Sequence, residues 1–176
     1  MSRSSDGSGF SRPLRVDALE TGGRSFEWQA TQQERTDLAA FLDLDRLDGL
    51  TVRGRAEPGL KAAIHLTADY AADVVQTCVV TLEPVAARIA DTLEREFTLR
   101  SDVAAVRQEV DVEPGAADPP DLVEGGEIDI GAVVIEALAL AIDPYPRKPG
   151  AVLEYQPENP PDPGPFAALA KLKNRL

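Results

Sequence analysis

A single cysteine, Cys78, rules out an internal disulfide in this 176-residue chain and fits a reducing compartment. Histidine is equally scarce, with His65 alone. No stretch approaches the roughly eighteen uninterrupted apolar residues that a membrane helix needs. The opening residues 1–12 are Ser/Gly-rich and have no apolar core of the kind a secretory signal carries. A cytoplasmic protein with no membrane partner is expected. Positive charge is also in short supply: 18 Lys and Arg stand against 30 Asp and Glu, a formal net charge of -12. An acidic surface repels a phosphate backbone unless its few cations are gathered on one face, so broad RNA binding is disfavoured and encounter with a basic partner is favoured. No G-x-G-x-x-G or G-K-[ST] occurs, which removes support for a nucleotide site, and no small-molecule substrate is expected.

Several elements can be read from periodicity and turn chemistry. Residues 13–19 and 25–30 are short extended runs separated by Gly22-Gly23, which predicts an opening hairpin. Thr31 stands where a helix N-cap belongs, with Glu34 three residues later as in a capping box, and Leu38, Phe41 and Leu42 follow at helical spacing. A helix over 31–44 is predicted. From Leu50 the period becomes two: Leu50, Val52, Gly54 and Ala56 share one face and Thr51, Arg53, Arg55 and Glu57 the other. Pro58-Gly59 supplies a turn, and Ile64, Leu66, Ala68, Tyr70, Ala72 and Val74 continue the alternation in a long half-buried strand. The stretch 85–99 satisfies both the strand and the helix period. Pairing with its antiparallel neighbours decides for strand.

Between Gln108 and Ile130 lie eight acidic residues, three prolines and no Lys or Arg, a composition that buries too little apolar surface to offset its ordering entropy. A mobile acidic loop over 108–128 is expected. Asp129 offers an N-cap for a helix through Ile142 that is apolar nearly all round, with Glu136 its only charge, so that helix should cover the sheet. Pro144 stops it. Eight of the fourteen prolines fall between Pro144 and Pro165, which predicts an extended spacer leading to a short C-terminal helix.

Two stretches, Gln76-Thr77-Cys78-Val79-Val80-Thr81-Leu82-Glu83-Pro84-Val85 and Ile128-Asp129-Ile130-Gly131-Ala132-Val133-Val134-Ile135-Glu136-Ala137-Leu138 leading into Asp143-Pro144-Tyr145-Pro146, resemble the YceD family of large ribosomal RNA subunit accumulation proteins. The closing Pro165-Phe166-Ala167-Ala168-Leu169-Ala170-Lys171-Leu172-Lys173 resembles the end of proteobacterial members. Their order makes the resemblance fairly specific, over roughly 50–176, with Cys78, Glu83, Pro84, Asp129 and Gly131 as its motif positions. The resemblance implies a role in the synthesis, processing or stability of bacterial large-subunit (23S) rRNA; with the acidic charge and the C-terminal motif beside it, the expected partner is a basic ribosomal protein or a pre-ribosomal particle. Many members carry C-x-x-C in the first motif. Here Thr81 holds the second position, so a thiolate zinc site is not carried over and neither metal nor cofactor is expected.

No catalytic constellation emerges, so no enzyme is expected. Cys78 reads as a small buried hydrophobe with no basic residue close in sequence to lower its pKa. His65 falls on the polar face of its strand and reads as solvated. A hydrolase built on it and nearby carboxylates is a third-ranked reading, because Asp69 and Asp73, on the same face, stand too far apart for a close acid/base pair. Arg53, Arg55 and, across the hairpin, Lys61 form a candidate RNA-contact patch, weighed against a plain solvated face. Asp121 and Glu124 are candidates for binding a basic partner. Phe166 and Leu169 with Lys171 and Lys173 fit helix-in-groove docking, or equally a helix folded back on its own domain. The expected architecture is α+β: a mainly antiparallel sheet, with curling toward a barrel left open, covered by two helices over 13–143. A disordered segment at 1–12 precedes it, and a proline-rich tail at 144–176 follows.

Overall fold

The alternation on either side of Pro58-Gly59 builds the centre of the molecule. The computed structural model describes residues 9–60, 63–99, 120–123 and 125–153. Among them the order is β1 (Pro13–Arg15), β2 (Arg24–Gln29), α1 (Gln32–Phe41), β3 (Arg46–Pro58), β4 (Ala63–Thr77), β5 (Pro84–Leu99), β6 (Asp121–Val123), β7 (Glu127–Asp129) and α2 (Ile130–Ala141). Strands β2 to β6 form one sheet in sequence order, while β1 and β7 pair separately. The fold is α+β, as its pattern of elements requires.

The long β3–β4 hairpin is in the expected register, with Val52 opposite Tyr70 and Ala56 opposite Leu66, and Gly59 N–H closes the reversal on the Ala63 carbonyl at 2.7 Å. Strand β5 then runs antiparallel along β4 from Pro84 to Thr98, so the tie between helix and strand periods over 85–99 is settled by cross-strand pairing. The face carrying Leu50, Val52, Leu66, Ala68 and Tyr70 is buried, and Leu38 of α1 with Val134, Ile135 and Leu138 of α2 belong to the same core. Each fully buried Leu or Ile there contributes roughly 2 kcal/mol relative to exposure. Gly54 makes room for an aromatic: a Cβ on it would lie 2.6 Å from Phe26 Cζ. The Phe26 ring stacks on Trp28 at 4.3 Å. Among the described residues both helices cover one face and leave the other bare.

The helix starts follow the sequence closely. Thr31 caps α1 as the acceptor of the Glu34 N–H at 3.3 Å while the Glu34 carboxylate accepts the Thr31 N–H at 2.8 Å. Phe41, expected on the apolar stripe, is half exposed instead, because α1 ends there and the chain turns away through Asp43 at positive φ. Asp129 caps α2 as the acceptor of the Ala132 N–H at 3.2 Å.

Four expectations are corrected, and the open question of a barrel is settled. Residues 13–15 do not form a hairpin with 24–29. A 3-10 turn at Val16–Ala18 diverts the chain, β1 pairs with β7 through Leu14 opposite Ile128, and β2 pairs with β3. Residues 9–12, placed in a disordered N-terminal segment, are tied into the fold: Phe10 is 1% exposed and the Arg12 N–H donates to Asp129 at 2.7 Å. The acidic loop of 108–128 is interrupted by strands, since Asp121–Val123 runs parallel to the end of β5 and Glu127–Asp129 takes β1 as partner. The sheet stays open rather than curling into a barrel, because its two ends are the short strands β2 and β6, which do not pair with each other. The spacer expected from Pro144 is docked over its first residues, where the Pro146 carbonyl accepts the Val79 N–H at 2.9 Å.

The Ile128-Asp129-Ile130-Gly131 motif has a structural account. Asp129 accepts from the Ser11 hydroxyl at 2.5 Å and from Arg12 N–H, and a Cβ on Gly131 would lie 2.3 Å from the Phe10 carbonyl oxygen. Only glycine lets the N-terminal segment lie this close to the first turn of α2. Asp129→Ala is expected to lower unfolding stability by about 2 kcal/mol, because cap and clasp lose their acceptor together. Gly131→Ala should cost a similar amount through the steric clash. Urea titration measures both, and a change below about 0.5 kcal/mol in either variant would contradict this account.

Candidate functional site

Two regions combine exposed chemistry with defined geometry: the turn between β4 and β5, and the uncovered face of the sheet. The turn is held by main-chain bonds, Cys78 N–H to the Glu83 carbonyl at 2.8 Å and Leu82 N–H to the Cys78 carbonyl at 3.0 Å. Leu82 adopts φ 58°, a left-handed conformation uncommon for leucine. Its side chain is 77% exposed.

Inside that turn Cys78 is fully buried, and its sulfur accepts the N–H groups of Val80 at 3.4 Å, Thr81 at 3.3 Å and Lys148 at 3.3 Å. Hydrogen bonds from the Thr81 side chain and from the Lys148 and Thr81 main chain favour the thiolate and lower its pKa to about 6. Burial agrees with the reading of Cys78 as a small core residue. No basic residue close in sequence takes part: the lowering comes from hydrogen-bond donors, and Lys148, whose main-chain N–H is one of them, is seventy positions away in sequence. The Lys148 ammonium itself is bound to Glu83 at 2.9 Å, and Gln76 holds the Asp143 carbonyl at 2.9 Å. Glu83 thus anchors the segment that follows α2, while Pro84 opens β5. Among the described residues no group of three or more His, Cys, Asp or Glu could hold a metal ion.

On the bare face a shallow trough of about 890 Å³ crosses the middle strands, lined by small residues such as Thr51, Ala71 and Ala90 beside Glu27, Arg53 and Asp69. The sequence patch at Arg53 and Arg55 lies here, but its cations are engaged. Arg53 pairs with Asp69 at 3.6 Å. Arg55 bonds Glu57, the Ser25 hydroxyl at 3.0 Å and the Gly22 carbonyl. Asp69 also accepts from the Thr92 hydroxyl at 2.7 Å, and Asp73 takes Arg88 at 2.9 Å. His65 sits opposite Glu96, its Nδ1 3.7 Å from the carboxylate, with both side chains about half exposed. That pair stands in open solvent, a poor setting for general acid/base work.

Asp121 lies in β6, 3.8 Å from Arg95, whose guanidinium also meets Glu136 at 3.1 Å. Lys61, Glu124, Phe166, Leu169, Lys171 and Lys173 lie outside the described residues. Alternation placed Arg53, Asp69 and Asp73 on the bare face correctly. The Cys78–Lys148 and Glu83–Lys148 contacts had no local signal, because they depend on where α2 delivers the chain.

The geometry defines an α+β protein built on an open five-stranded sheet. Residues 66–173, more than half the chain, match the family model described as large ribosomal RNA subunit accumulation protein YceD. The chain belongs to that family. No curated protein and no solved structure gives a significant match.

A thiol held at about 6 instead of its ordinary 9.0 makes the thiolate form of Cys78 part of the native state. Thiolate absorbance near the far-ultraviolet edge should titrate with a midpoint about 6 and vanish in Cys78→Ser. Because the folded pKa lies below the unfolded one, the unfolded chain binds more protons between about 6 and 9.0, so this contribution to stability grows as pH rises through that window and is lost as pH falls. A midpoint above 8 would contradict the hydrogen-bonded arrangement.

Proposed function

We propose that the chain is a non-catalytic, cytoplasmic factor that supports accumulation of large-subunit (23S) rRNA by holding a basic ribosomal protein or a pre-ribosomal particle against its acidic surface. The observation that carries this reading is the family match over 66–173 in a chain whose net charge is -12. Charge of that size favours encounter with basic proteins, which ribosomal proteins commonly are, and disfavours a phosphate backbone. Pairing of Arg53 with Asp69 and of Arg55 with Glu57 adds weight, since the cations proposed for RNA contact are already neutralised by neighbours. Asp121 and Glu124, together with the C-terminal segment bearing Phe166, Leu169, Lys171 and Lys173, are the residues assigned to partner contact.

A tagged full-length chain recovered from native lysate should bring down large-subunit proteins that persist after nuclease treatment. Recovery should fall severalfold as salt rises from low to moderate concentration, because exposed charge pairs are screened within about 8–10 Å. Paired Asp121→Lys and Glu124→Lys substitutions should weaken it further. Loss of every ribosomal component with the RNA would favour direct RNA contact through Arg53, Arg55 and Lys61, and indifference to both salt and charge reversal would overturn the proposal.

A further inference from the structure

Strand β5 spans 16 residues. Its inner side is paired with β4 without a register shift from Pro84 to Thr98. On the outer side, among the described residues, only Phe97, Thr98 and Leu99 have partners, in β6. Among the described residues, 84–96 therefore offer a long run of main-chain donors and acceptors to whatever lies beside them. Natural edges are commonly blunted by shortness, bulges or lysines. This one is long and regular, and its first half carries small exposed side chains at Ala86, Ala87 and Ala90, where a second backbone can approach closely.

The charges along this edge are one-sided. Its two arginines are already held by carboxylates of other elements, Arg88 by Asp73 at 2.9 Å and Arg95 by Glu136 at 3.1 Å. Asp91, Glu94 and Glu96 have no Lys or Arg within 4.0 Å among the described residues, and Glu96 has only His65, at 3.7 Å. Glu94 and Glu96 lie on the bare face, whereas Asp91 shares the parity of buried Leu93 and Phe97 yet is itself exposed. Carboxylates thus flank the free edge on both faces. We propose that this edge docks an extended, lysine- or arginine-rich segment of a partner protein, which adds as a further strand and sets its cations beside Asp91, Glu94 and Glu96. The proposal rests on the reading that the chain holds a basic partner, and it locates that contact. A second copy is a poor occupant, because the same carboxylates would face each other across the interface.

The test uses the full chain and a capped peptide of alternating Lys and Thr, long enough to span the edge, with a second peptide N-methylated at every other amide. Fluorescence anisotropy should show binding of the first at low salt, and amide hydrogen exchange should slow in β5. N-methylation should abolish binding, since charge is kept while the ladder bonds are lost. Paired Glu94→Lys and Glu96→Lys substitutions should weaken it on the order of fivefold or more. Equal binding of the N-methylated peptide, protection elsewhere than β5, no binding at low salt, or self-association of the chain through β5 would each overturn the proposal. Peptide binding at β5 without recovery of ribosomal proteins from lysate would fault the functional reading and support the edge. Ribosomal recovery that survives the Glu94→Lys and Glu96→Lys substitutions would fault the edge alone.

Discussion

The Asp129 carboxylate is the constraint on which the arrangement of both helices depends. It receives Ser11, the Arg12 main chain and the first turn of α2 at once, so the N-terminal segment is held against a helix far away in sequence. Arg12, fixed by that contact, lies over the Phe10 ring at 4.2 Å and reaches Glu34 at 2.6 Å. Glu34 in turn completes the capping box of α1. A continuous polar network therefore joins the two helix N-termini, and Gly131 keeps the backbones close enough for it to exist. Helix α2 has little polarity of its own to fix its orientation, since Glu136 is its only charged side chain. The network supplies that orientation.

Fixing both helices on one face leaves the other face of the β3–β5 sheet bare among the described residues. That face is made of small and charged residues, with Arg53 paired to Asp69 and Arg88 to Asp73 across the strands. The same placement delivers the chain after α2 to the β4–β5 turn, where Lys148 closes on Cys78 and Glu83. Both motifs that carry the family resemblance are therefore joints of the fold, at Asp129 and Gly131 on one side and at Cys78 and Glu83 on the other.

Much of this was legible locally. The capping box at Thr31 and Glu34, the alternation through β3 and β4, and the Asp129 cap are written in residues a few positions apart, where propensity and pattern agree with the final fold. The pairing of β1 with β7 was not legible, because Gly22-Gly23 signals a reversal without saying which strand waits beyond it. The strands at Asp121–Val123 and Glu127–Asp129 were hidden by composition: eight acidic residues outweigh two short apolar runs in any window average, yet Val123 and Ile128 are buried. The lowered Cys78 pKa was invisible for a related reason, since its donors are main-chain groups that folding brings together.

The most direct measurement of the central claim is the ratio of large- to small-subunit rRNA in cells depleted of the chain and complemented with defined variants. The account predicts that the ratio falls on depletion and is restored by the native chain and by Arg53→Ala with Arg55→Ala, whereas Asp121→Lys with Glu124→Lys fails to restore it. Restoration by the acidic-surface variant together with failure of the arginine variant would contradict the account and assign the function to direct RNA contact.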